Sequence, residues 1–168
     1  MSIEELEKLI QNLGLSKGEV NKAMKRAIGT VLRGSKTLMA RDIAQDTKVK
    51  VKILSNRMKI FDREKDIAKK LSMITYSVPA ILAGRYRKTK YGYMVGSHNI
   101  KGAFVHPYQG REIMFKRKGK SRYPLVRVRV PVHSSAEQAL IMLEARIDAR
   151  LRKAFARELE IFGGVIEF

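Results

Sequence analysis

The chain has no cysteine and no tryptophan, only four prolines in 168 residues, and 16 acidic residues against 35 Lys and Arg. Each shortage excludes something. Without cysteine there are no disulfides, thiolate metal sites or thiol nucleophiles, which fits a reducing compartment or an assembly held by packing. No apolar run approaches the roughly 18 residues of a membrane-spanning helix, and residues 1–11 alternate acids with Ile and Leu instead of forming a signal peptide. The reading is therefore a protein without a membrane role. The shortage of acid leaves a net charge of +19. A compact domain repels itself at that charge unless nucleic acid, an acidic protein surface or an anionic membrane compensates it. Nucleic acid and an acidic protein are favoured.

Catalytic patterns are missing too. His98, His106 and His133 lie in three different segments with no HExxH, no grouped carboxylates and no Ser-centred elbow beside them. Between Leu71 and the last expected helix the only acid is Glu112, too few to hold a divalent ion for nuclease chemistry. Neither a Walker pattern nor a GxGxxG opening a helix occurs. The expectation is no enzyme, no metal, no cofactor and no small-molecule substrate.

What is present is 45% apolar residues, enough for one domain spanning 1–168 with a sizeable core. Ile3, Leu6, Leu9, Ile10 and Leu13 recur at helical spacing, predicting a short amphipathic helix over 2–12 that Gly14 ends. A second helix, begun by Ser16 or Lys17-Gly18, is expected over 17–46. Its apolar face is Met24, Ala27, Ile28, Val31, Leu32, Leu38 and Met39. Lys22, Lys25, Arg26, Arg33 and Lys36 fall on the other side as a basic stripe. Residues 47–62 read either way: Val49, Val51 and Ile53 alternate with lysines like a strand, while Val51, Leu54 and Met58 suit a helix. A helix over 48–57 is the expectation.

From Leu71 the period shifts to two. Strands are expected over 72–79, 91–97, 103–108, 112–118 and 123–131, with Gly84, Gly92, Gly102, Pro107, Gly110 and Gly119 as turn residues. Closely spaced strands imply one antiparallel sheet of about five strands over 71–131. A closing helix over 135–162, capped by Ser134 or Ser135, carries Leu140, Leu143, Ile147, Leu151, Ala154, Phe155 and Phe162 on one face and stops at Gly163-Gly164. The fold class is α+β, with two long helices packed on that sheet.

Three basic clusters carry the functional signal: the helix stripe; Arg85, Arg87, Lys88 and Lys90 interleaved with Tyr86 and Tyr91; and Lys116, Arg117, Lys118, Lys120 and Arg122. The third has five cations and no acid in seven residues, which favours a polyanion or partner contact over a merely solvated loop. Such clusters hold phosphates without reading bases, so any DNA contact is expected to be sequence-independent. Tyr86, Tyr91, Tyr93 and Tyr123 stand among the cations as in some single-strand binders.

Residues 102–125 are more specific. Gly102-Ala103-Phe104, then Met114-Phe115-Lys116-Arg117-Lys118-Gly119, then Arg122-Tyr123-Pro124-Leu125 resemble the phage minor tail protein Z family, with a looser likeness over 17–159. The resemblance implies a structural virion protein of a long-tailed phage that completes the tail at its head-proximal end, assists head–tail joining and DNA passage, and has no catalysis. It implies other tail and neck proteins as partners, genome DNA touched through its backbone, and a homo-oligomeric ring, a hexamer by its place on the tail. It also implies a location in the virion, after assembly in the host cytoplasm. The motif falls on Gly102, Ala103, Phe104, Phe115, Gly119, Pro124 and Leu125 as structural residues. Phe104 and Phe115 are expected as core anchors on adjacent strands, leaving Arg117 and Arg122 to meet a partner or DNA. After Leu125 the chain departs from the pattern, with Val126-Arg127-Val128-Arg129-Val130 in place of a shorter glycine-containing link. The alternative reading is a general sequence-independent nucleic-acid-binding module.

Overall fold

A computed structural model describes residues 3–62 and 67–163. Ser2 of the expected first helix and Gly164 of the expected stop lie outside them. The elements are α1 (Ile3–Asn12), α2 (Lys17–Thr47), α3 (Val51–Asn56), β1 (Met58–Asp62), β2 (Lys69–Met73), β3 (Val78–Pro79) and α4 (Ala80–Ala83). They continue with β4 (Tyr86–Thr89), β5 (Gly92–Val95), β6 (His98–Lys101), β7 (Ala103–Tyr108), β8 (Arg111–Arg117), β9 (Leu125–Arg127), β10 (Arg129–Val130) and α5 (His133–Phe162). Two compact units divide the chain. The first takes the described parts of Met1–Met39, Met58–Met73 and Leu140–Phe168; the second takes Ala40–Arg57 and Ile74–Ala139.

In the first unit, α2 starts at a capping box. Ser16 donates from its backbone N–H (2.8 Å) and its hydroxyl (2.7 Å) to Glu19 Oε2, and the Glu19 N–H donates back to Ser16 Oγ at 3.3 Å. Those donors hold the Glu19 carboxyl below its ordinary value of 4.5, the side-chain bond contributing most. The core joins Leu6 of α1, Ala23 and Ala27 of α2, and Phe155, Ala156 and Leu159 of α5. The alanines leave room for the larger side chains, and burying Phe155 and Leu159 contributes roughly 1.5–3 kcal/mol each. β1 and β2 form an antiparallel ribbon in register Met58↔Met73 to Asp62↔Lys69. Lys69 Nζ lies 2.6 Å from Asp62 Oδ2.

The second unit buries Ile43, Leu54, Val78, Val95, Met114 and Val132 almost completely. Its strands form a β3–β10 pair and two three-stranded antiparallel sheets, β4-β5-β6 and β7-β8-β9. α4 lies against β3, β5, β8 and β10, and β5 lies against β7. His98 Nε2 sits 2.6 Å from the Thr47 carbonyl at the end of α2.

The long helices and the α+β class match expectation, but the single five-stranded sheet does not. Among the described residues, small sheets of two or three strands stand in its place. Gly102, with φ of +72°, turns the chain between β6 and β7, and β7 then pairs with β8 instead of extending the β4-β5-β6 sheet. The ambiguous 47–62 segment is both things in succession, α3 and then β1. α5 begins two residues before its expected start, and Ser135 is not its cap: its hydroxyl donates to Asp46 Oδ2.

Candidate nucleic-acid interface

Two of the three basic clusters converge in the second unit. The β4–β5 hairpin turns at Lys90-Tyr91, and the Gly102 N–H holds the Tyr91 carbonyl at 2.7 Å. Gly92 is required in this turn: its φ is +155°, and a Cβ there would lie 2.2 Å from the Ile100 carbonyl oxygen. Lys116 and Arg117 end β8, where Ala103↔Lys116 and Arg117↔Leu125 are paired positions. Between these segments runs an open cleft of about 780 Å3. Lys88, Lys90, Lys116 and Arg117 line it together with Tyr91, Tyr93 and Phe104, and no Asp or Glu is among its described lining residues.

Four cations around one cleft repel one another, and a bound polyanion relieves that repulsion. The aromatic groups are positioned too. Tyr93 leans on Tyr86 with ring centroids 6.0 Å apart and planes at 53°. Lys90 Nζ stands 5.4 Å from the Tyr91 ring centroid, within cation–π range.

The remaining expected DNA- or partner-facing residues are distributed otherwise. Arg85, Arg87, Lys118, Lys120 and Arg122 are exposed and do not line the cleft. Arg87 Nη2 lies 3.3 Å from Met94 Sδ, and the Arg122 guanidinium lies 5.9 Å from the Tyr123 ring. The helix stripe belongs to the first unit. There Lys22, Arg26 and Arg33 are exposed, while Lys25 and Lys36 are half-buried. Arg26 stacks 4.8 Å from the Phe162 ring centroid, Arg33 Nη2 donates to Thr30 Oγ1 at 3.2 Å, and the Lys25 charge acts on Asp62. Part of that stripe is therefore engaged in local packing.

Among the motif residues, Phe104 and Phe115 do face each other on adjacent strands, but as core anchors they are corrected to half-buried. The fully buried residue of β8 is Met114, at 1% exposure. Gly119, expected to let the loop turn, lies in the exposed loop after β8, with no described atom within 4 Å of a Cβ placed there. The Lys118 N–H donates to the Pro124 carbonyl at 3.2 Å across this loop, which has a cis Tyr123-Pro124 bond before Leu125 opens β9.

Sequence reasoning also missed a polar interaction between strands. The Tyr86 hydroxyl of β4 donates to Glu112 Oε2 of β8. That bond first, then burial and the Glu112 charge, raises the Tyr86 phenol above its ordinary 10.0. The signal is visible in the chain, since Glu112 is the lone acid of that region. Also missed was a second cavity of about 680 Å3, floored by Ile81, Leu82, Ile113 and Met114 with Arg111, Arg127 and Arg129 in its lining.

No described group of three His, Asp or Glu residues is placed to hold a metal ion. No helix among the described residues is long and apolar enough to cross a membrane. In comparisons with known proteins, the family described as prophage minor tail protein Z (GPZ) matches residues 3–162. No curated protein and no solved structure matches the chain.

Proposed function

Since this chain belongs to the prophage minor tail protein Z family, whose members are structural phage tail proteins, we propose that it completes the tail at its head-proximal end, assisting head–tail joining and DNA passage. The observation that carries the DNA part of this reading is the convergence of two basic clusters on one acid-free cleft. Surfaces of that kind hold phosphates without reading sequence, which suits a genome in transit.

A ring of copies in the neck is part of the proposal. Neighbours with acidic faces would offset a charge of +19 that opposes association of the free chain. Material for such interfaces is present in the first unit. α1 exposes Glu4, Glu5 and Glu7, and α5 exposes Leu140 (45%), Ile141 (66%) and Met142 (55%) in succession. A free nucleic-acid-binding module has no use for three consecutive exposed apolar residues, which is why the neck reading is preferred. Assembly in the host cytoplasm is proposed with it.

Gold-labelled antibody against the chain, applied to purified virions and isolated tails, tests the placement. Label at the head-proximal end is expected. Label along the whole tube or at the distal tip would contradict it.

A further inference from the structure

We propose that the cleft between the Lys90-Tyr91 turn and the end of β8 is a binding site for single-stranded nucleic acid, with cations holding the phosphates and Tyr91 stacking on a base. The inference rests on the DNA reading above and adds to it a site for unpaired nucleotides.

The first argument is the pairing of charge with aromatic surface. Lys88 and Lys90 come from one hairpin and Lys116 and Arg117 from another strand pair, so the fold, not local sequence, assembles the anion site. At about 780 Å3 the open cleft has room for individual nucleotides. In a duplex the bases are stacked on one another and the outer surface is phosphate. An unstacked strand offers both its phosphates and its base faces to the same cleft.

The second argument is preorganisation. Tyr91 is 67% exposed although its backbone is fixed, because its carbonyl accepts the Gly102 N–H. Tyr93 is half-buried beside Tyr86. A large ring held out over a basic cleft by a constrained turn costs little to order on binding. The described contact of the Tyr91 ring is with Lys90, which leaves most of the ring surface open to a ligand.

The test is anisotropy titration of the full chain with labelled oligothymidylate, with a duplex of the same length, and with polyglutamate as an acidic-peptide probe. Thermal melts establish that each variant is folded. Tyr91→Ala is expected to weaken oligothymidylate binding roughly 5- to 150-fold, the loss of one stacked base, and to leave duplex binding unchanged. Tyr91→Phe should keep the affinity. Lys88→Gln with Lys116→Gln should lower the single-strand salt slope by about 0.7 for each phosphate no longer neutralised. If Tyr91→Ala leaves oligothymidylate binding intact while the lysine variant lowers the slope, the single-strand assignment is overturned and the backbone interaction stands. If the lysine variant changes neither nucleic acid, or polyglutamate outcompetes both, the DNA reading itself falls and the cleft belongs to an acidic protein.

Discussion

Phe104 of β7 and Phe115 of β8 stand directly opposite each other in the antiparallel register, with ring centroids 6.2 Å apart and planes at 31°. Strand alternation puts the neighbouring Met114 on the other face, where it is 1% exposed, while both phenylalanines keep part of their surface in water. Burial on the two faces is therefore unequal. Met114→Ala should cost about 2–5 kcal/mol through reduced burial and a cavity. Phe115→Ala should cost less, about 1–3 kcal/mol, from a partly buried ring and a tilted pair. Denaturant titration of both variants checks the order, and a larger loss for Phe115 would contradict this packing.

The bond from the Tyr86 hydroxyl to Glu112 connects β4 with β8 and should be visible in alkaline titration. A phenol raised above 10.0 stabilises the fold fully below that pH and loses its contribution as the pH rises through the raised value. Tyrosinate absorbance should show Tyr86 titrating late. Glu112→Gln keeps an acceptor but removes the charge, and should move that group back down. An unchanged curve would mean the bond does not persist in solution.

The start of α2 responds to acid. The Glu19 carboxyl is held below 4.5, so its capping contribution is present above that pH and lost as the pH falls through the lowered value. Carboxyl-detected NMR should show Glu19 titrating below its ordinary value of 4.5, and Ser16→Ala should move it upward. The same substitution should cost about 1 kcal/mol, within the roughly 0.5–2 kcal/mol range for loss of a cap.

How much of this was legible in the sequence follows from how local each feature is. α1, α2 and most of α5 are written in a 3.6-residue period, so the helices and much of their apolar faces could be read from spacing, although Leu140 of the expected α5 face is 45% exposed. Strand pairing is not local. The alternation around Met114 and Phe115 marks a strand without saying which face is buried, and nothing near Gly102 announces that β7 leaves the sheet of β6. α4, four residues after Pro79, is too short to show any period. The basic runs were visible as composition, and so was the lone Glu112. What composition does not contain is that Lys88 and Lys116 share a cleft, or that Lys25 and Lys36 are half-buried.

The loop beyond the cleft should add to duplex binding without sharing the single-strand site. Lys118→Gln and Lys120→Gln together should flatten the duplex salt dependence by about 0.9 in log–log slope for each phosphate left without its lysine. Titration at several salt concentrations measures it directly. An unchanged slope would take this loop off the DNA surface.

The central claim, a tail-completion role without catalysis, is tested most directly by deleting the gene from a phage that carries it and examining the particles. Electron micrographs are expected to show tails of full length, with infectivity lost through failed head joining or failed DNA delivery, and wild-type protein supplied in trans should restore it. Normal infectious particles, or the absence of tail tubes altogether, would contradict the account.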